Sequence, residues 1–189
     1  MTLNDILNEA LDALKMGNTL LYPTDTVWGI GCDACNAEAV EKIYRIKERD
    51  HSKSMLILGL HSDLPQDEAS QRLFKEMSDK PTTFILPNAK QLFPNLADNL
   101  PAADGSIGIR IPNTPFLQML LNAFGRPIVS TSANLSGQPT PSHYSDIIEE
   151  IKRRVDLCIP NLPEFESGRC NSSRIIKLNN DGSTTLLRP

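Results

Sequence analysis

Histidine is scarce in this chain: only His51, His61 and His143 occur, each among polar neighbours. Such histidines read as solvated surface residues, so a histidine general base or a Ser/His/Asp or Cys/His triad is not expected. The common nucleotide signatures are also missing. There is no G-x-x-x-x-G-K-[ST] stretch and no G-x-G-x-x-G following a strand, which excludes a P-loop and a Rossmann fingerprint. No apolar run approaches the roughly 20 residues a membrane helix needs. The opening "MTLNDILNEALDALKMG" is amphipathic and carries acids, so it reads as neither a signal nor a transit peptide, and a cytoplasmic setting is expected.

Cysteine supplies little more. Cys32, Cys35, Cys158 and Cys170 occur without a secretion signal, which argues against a disulfide framework. "CDAC" at 32–35 has the spacing of a redox pair or half a zinc site. No second C-x-x-C or paired histidine follows, and Asp33 inside the motif would raise the thiol pKa. Two small buried or half-buried thiols are expected instead. A broad basic surface is missing too: the net charge is −4, so any RNA contact has to be local or weak.

What the chain does contain is a regular alternation. Leu3, Ile6, Leu7, Ala10, Leu11 and Leu14 form a helical stripe closed by Gly17. "TLLY" follows as a strand. Asn36 is a good N-cap for a helix that runs through "AEAVEKIYRIKER". "SMLILGL" reads as a strand, 67–77 as a helix, "TTFIL" as a strand and 87–104 as a long Pro/Asn-rich stretch. A strand at 106–111, a helix from Thr114 to Phe124, the strand "PIVST", a helix at 144–154, a strand at 155–159 and two terminal strands complete the pass. Length and alternation together predict one mixed α/β (α+β) domain over residues 1–189.

Chemistry gathers at three places. "RIKERDHSK" sets Arg45, Lys47, Arg49, His51 and Lys53 within nine positions. "YPTDTVWGIG" and "STSANLSG" are hydroxyl-rich loops directly after strands, suited to presenting donors to an anion. Arg110 lies inside an apolar strand, where a guanidinium needs a partner; a structural salt bridge and a carboxylate clamp fit equally well. Residue chemistry therefore points to a phosphate-bearing anionic ligand and goes no further.

The motifs "YPTDTVWGIGCDA", "KER" with Lys53 beyond it, "GIRIPNTP" and "PIVSTSANLSGQPTP", in this order, resemble the YrdC-like family from about residue 5 to residue 189. Within that family the chain resembles the short, single-domain threonylcarbamoyl-AMP synthases. The resemblance implies a twisted, mainly antiparallel or mixed sheet flanked by helices around a large concave basic cavity (a YrdC/RibB-like fold). It also implies a nucleotidyltransferase that makes L-threonylcarbamoyladenylate and pyrophosphate from L-threonine, bicarbonate or CO2, and ATP. That product feeds the N6-threonylcarbamoyladenosine modification of tRNA, with tRNA or a transferase as a possible partner. The family's Lys-x-Arg and Ser-x-Asn signatures fall on Lys47, Arg49, Ser132 and Asn134, which would carry catalysis. ATP contacts carry over to Arg49, Lys53, Ser106, Ser132, Asn134, Thr140 and Arg188, with Lys47 joining Arg49 and Lys53 on the triphosphate. Threonine contacts carry over to Thr26, Arg110, Ser130 and Ser173. Mg2+ would enter with the phosphates rather than on protein ligands of its own. Departures from the family pattern fall at Asp50, Lys80, Arg174 and Lys177. An RNA-binding module of the same fold, and a paralogue with altered carbamoyl or nucleotide chemistry, are the competing readings.

Overall fold

The first helix starts where its caps dictate. Thr2 accepts a hydrogen bond from the Asp5 N–H while the Asp5 carboxylate accepts one from the Thr2 N–H, a reciprocal box that satisfies two otherwise orphan donors. The structure, a computed structural model, describes residues 2–77, 79–162, 172–179 and 181–189; Cys170 lies outside them. The helices are α1 (Leu3–Lys15), α2 (Ala37–Lys47), α3 (Glu68–Glu76), α4 (Ala89–Leu92), α5 (Pro115–Phe124) and α6 (Glu149–Arg154). The strands are β1 (Leu20–Tyr22), β2 (Gly29–Gly31), β3 (Leu56–Leu58), β4 (Thr82–Leu86), β5 (Ile107–Arg110), β6 (Ile128–Ser132), β7 (Leu157–Cys158), β8 (Arg174–Leu178) and β9 (Thr184–Arg188). Asn36 and Thr114 cap α2 and α5 as their sequence positions predict.

Three elements depart from the sequence reading. Residues 29–31, read as the end of the hydroxyl-rich loop "YPTDTVWGIG", form β2. The expected helix at 144–154 is a single 3-10 turn, Tyr144–Asp146, followed by α6. Between them Ile147 and Ile148 are extended, and Ile147 is buried in the core. The Pro/Asn-rich stretch holds the one-turn helix α4.

Among the described residues the strands form one mixed sheet in the order β7-β1-β2-β6-β3-β5-β4-β8-β9. β7 with β1, β3 with β5 and β4 with β8 are parallel; the other five pairings are antiparallel. Alternate residues of a strand point to opposite faces, and register partners share a face. On one face Leu21, Ile30, Val129, Ile57, Ile109, Phe84 and Ile176 join a core with Val40, Ile43, Phe74 and Ile151 from the helices. On the other, α1 and α5 pack together over Leu20, Tyr22, Ile128 and Leu58. Beyond those helices the same face carries Ser130, Ser132, Gly108, Arg110 and Thr83. That polar half is where a ligand can sit.

Gly31 shows how closely the sheet is drawn together. A Cβ there would come within 2.0 Å of the Val129 carbonyl oxygen and 2.8 Å of the Tyr22 hydroxyl. Tyr22 is itself held by donating to that same carbonyl at 3.1 Å. Gly31→Ala is expected to cost at least the ~1–3 kcal/mol of an overpacked core, read as a lower urea midpoint, because a backbone carbonyl cannot move aside as a side-chain tip can.

Candidate active site

The polar half of the second face is the floor of a cavity of about 330 Å³, within the size range of small-molecule sites. Leu56, Gly108 and Ile85 lie side by side across β3, β5 and β4 on that floor. Glycine keeps the floor low. A Cβ at Gly108 would already touch Leu56 Cβ and Thr83 Cγ2 at 3.3 Å.

Thr26, Arg49, Ser106, Arg110, Ser130, Ser132, Thr140, Ser173 and Arg188, all singled out in the sequence, line this one cavity. Lys47, Lys53 and Asn134 are not among its lining residues. Lys53 is exposed and contributes its backbone carbonyl, which accepts from Arg49 Nε at 2.9 Å. The Asn134 amide nitrogen donates to the Leu135 and Gln138 carbonyls, and its Oδ1 is buried with no partner among the described residues.

Lys47 and Arg49 part company at Glu48. This residue ends α2 in the left-handed conformation (φ 51°, ψ 45°), so the chain turns sharply between the two cations. Arg154 holds the turn, donating to the Ile46 carbonyl at 3.0 Å and the Glu48 carboxylate at 2.9 Å. Lys47 is consequently buried beneath the loop after β6. Its ammonium donates to the Ser132 and Asn134 carbonyls at 2.5 and 2.6 Å, and its own carbonyl accepts from the Ser136 N–H at 2.8 Å. Burial, with Arg49 nearby adding to it, pushes the Lys47 pKa down to about 7. Arg49 emerges into the cavity, braced by donating to the Lys53 and Ser54 carbonyls.

The other two guanidinium groups come from the sheet itself, at the ends of β5 and β9. Arg110 pairs with Asp25 at 2.6 Å, with both side chains more than nine-tenths buried. The structural salt bridge is thus present, and Arg110 still lines the cavity. Arg188 donates from Nε to the Ser173 carbonyl at 2.8 Å. Burial first, and the charge of Arg110 second, hold its pKa below the usual arginine range. Three cationic groups therefore converge on a lining that contains no carboxylate among the described residues.

The hydroxyls are ordered as well. Thr24 and Thr26 are hydrogen-bonded at 2.9 Å, and Thr83 meets Ser173 at 2.7 Å. Ser106 donates to Asp104, whose carboxylate also accepts from Lys177 at 2.9 Å; these bonds hold Asp104 well below the usual carboxylate range. Arg174 binds Asp79, Thr82 and the Met77 carbonyl. Sequence reasoning did not select Thr83 or Asp25 for the site. Thr83 faces the cavity because it stands opposite Arg110 in the β4–β5 register, which strand order along the chain cannot disclose. Cys32 is fully buried and its thiol is pushed up by burial and by Asp33; Cys35 shifts the same way for the same reasons.

A mixed sheet whose open half cradles hydroxyls and guanidinium groups defines a protein built to bind a small, anion-bearing ligand. The chain belongs to the Sua5/YciO/YrdC family, whose model, described as "Telomere recombination", matches residues 12–189. It is 33% identical over 176 residues to a threonylcarbamoyl-AMP synthase of Vibrio campbellii, covering 88% of this chain and 91% of that one. Among solved structures it resembles Escherichia coli YciO, with a TM-score of 0.79, 27% identity, and coverage of 97% of this chain and 88% of that one. It also resembles the H234A/Y235A form of P. abyssi Sua5 (TM-score 0.78, 25% identity), covering all of this chain and 57% of that longer one.

The buried Lys47 has a thermodynamic signature. The unfolded chain keeps this proton to near the ordinary value of 10.5, whereas the folded chain releases it near 7. Between those values the unfolded state binds more protons, so Lys47 makes folding stability rise with pH. Urea unfolding at pH 7 and pH 9 is expected to show a smaller rise in Lys47→Met than in the unaltered protein; equal slopes would contradict the burial of a titrating ammonium.

Proposed function

We propose that this chain is an L-threonylcarbamoyladenylate synthase acting on L-threonine, CO2 or bicarbonate, and ATP. The observation that carries the reading is the convergence of Arg49, Arg110 and Arg188 on one hydroxyl-lined cavity. The similarity to named synthases over nine-tenths of both chains supports the particular reaction.

In this reading Arg110 takes the threonine carboxylate, with its fork of donors matching the two oxygens. Thr26, Ser130 and Ser173, hydroxyl-bearing neighbours on the same lining, orient the amino acid. Arg49 and Arg188 take the phosphates of ATP, with Ser106, Ser132 and Thr140 completing the nucleotide's contacts. The threonine amino group adds to CO2, forming a C–N bond and losing a proton to give a carbamate. A carbamate oxygen then forms a bond to the α-phosphorus, and the bond to the leaving pyrophosphate breaks. Negative charge grows on the phosphoryl oxygens and the pyrophosphate, where guanidinium groups already in place stabilise it without reorganising. No histidine is required once the carbamate exists.

Lys47 has a different part from the phosphate contact that its motif suggests. With its ammonium on two backbone carbonyls, it holds the Ser132–Asn134 loop in shape, and Lys53 acts from the rim. Mg2+, where present, would be held by the phosphates, since the described lining offers hydroxyls and cations but no carboxylate. The acyl adenylate would pass to a transferase that modifies tRNA. Among the described residues no helix is long and apolar enough to cross a membrane.

The test is pyrophosphate release from ATP and bicarbonate, with and without L-threonine. Release is expected to depend on threonine, with serine much poorer, and Arg49→Ala is expected to lower kcat/KM by about 10²-fold or more. Threonine-independent release, or full activity in Arg49→Ala, would contradict the assignment.

A further inference from the structure

We propose that Asp25 is the positioning residue for Arg110, fixing from behind the guanidinium that meets the amino-acid carboxylate. The proposal rests on the reading of Arg110 given above.

Asp25 sits between Thr24 and Thr26 in the connection from β1 to β2, and the three side chains divide between two cavities. Both threonines line the catalytic cavity, whereas Asp25 does not. It lines a second cavity of about 310 Å³, together with Phe84, Ile111, Pro112 and Asn113. The Asp25–Arg110 pair is therefore a partition, with its cation facing one cavity and its anion facing the other. The carboxylate is held at both oxygens. Oδ1 accepts from Arg110 Nη1 at 2.6 Å and Oδ2 accepts from the Asn113 N–H at 3.2 Å, which ties the pair to the backbone after β5.

The way Arg110 is held leaves most of it available. Its Nε and Nη2 make no hydrogen bond to the described residues, so the donors not spent on Asp25 can form a two-point contact with a carboxylate. Asp25 affects ligand binding in two opposing ways. As a negative charge it weakens the attraction of Arg110 for an anion. As a fixed acceptor it stops a long, flexible side chain, repelled by Arg188, from leaving its place. With a two-point contact that depends on the plane of the guanidinium, loss of position is expected to outweigh gain of field.

The two effects predict opposite results for Asp25→Asn, which removes the charge and keeps the shape. The measurements are L-threonine binding by calorimetry, the KM for L-threonine, and the preference for L-threonine over L-threonine amide, which lacks the carboxylate charge. Asp25→Asn is expected to weaken threonine binding and raise its KM by about tenfold or more. It should shrink the threonine-to-amide preference by a similar factor and leave ATP affinity unchanged. Because Asp25 acts through Arg110, the double variant with Arg110→Ala is expected to bind threonine no more weakly than Arg110→Ala alone. If thermal unfolding shows that Asp25→Asn does not fold, Asp25→Glu serves instead. It keeps the charge but displaces it, and should move the same preference in the same direction. Threonine binding that is unchanged or tighter, with an unaltered threonine-to-amide preference, overturns the positioning role while Arg110→Ala still abolishes that preference. If Arg110→Ala itself leaves threonine binding unchanged, the assignment of Arg110 fails, and the role of Asp25 fails with it.

Discussion

Strands in a sheet lie about 4.8 Å apart, so the nine among the described residues span roughly 38 Å. Two helices side by side, packed about 8–10 Å from one another, cover about half of that width. The second face of this sheet has just such a pair, α1 and α5, and the remainder of the molecule follows from the shortfall. Where the helices lie, the strands present leucine, isoleucine and tyrosine. Where they do not, the same strands present serine, threonine, glycine and arginine. The site needs no separate scaffold, because it is the portion of a sheet face that the helices leave open.

Two devices turn that open area into a defined lining. One is the left-handed turn at Glu48, which sends adjacent cations of a single motif to different destinations. Lys47 goes into the interior to hold a loop, and Arg49 goes into the cavity to face a ligand. The other is the pairing of polar wall residues with fixed neighbours: Arg110 with Asp25 and Ser106 with Asp104 behind the wall, and Ser173 with Thr83 and Arg188 within it. Family departures at the end of the chain belong to this second device. Lys177 reaches Asp104, which is the partner of Ser106, and Arg174 fastens the segment after α3 to the start of β8. These residues preserve the shape of the wall by contacts of their own.

The parts that were legible in the sequence are those with a period or an anomaly. The apolar stripes of α1 and α5, the caps Asn36 and Thr114, and an arginine in an apolar strand all announce themselves locally. β2 did not, because three residues with two glycines have no alternation to read, and their glycines answer to Tyr22 on the adjacent strand and to Val129 and Ser130 from far along the chain. Lys47 and Arg49 look alike in sequence, and only the backbone angle between them separates their roles. Asp25 did not stand out from the hydroxyl-rich loop around it, since its partner lies 85 positions away and strand order alone does not say that the β1–β2 connection reaches across to the end of β5.

The balance of charge in the lining has a consequence for turnover. Three cations with no facing carboxylate among the described residues attract any polyphosphate, and the departing pyrophosphate is one. Coulomb attraction cannot distinguish the nucleotide that should stay from the fragment that should leave. Discrimination between them must come from the adenosine and amino-acid portions, through contacts whose strength depends on fit rather than charge. A cavity arranged in this way trades rapid capture for slow emptying, and screening by salt would loosen both ends of that exchange together.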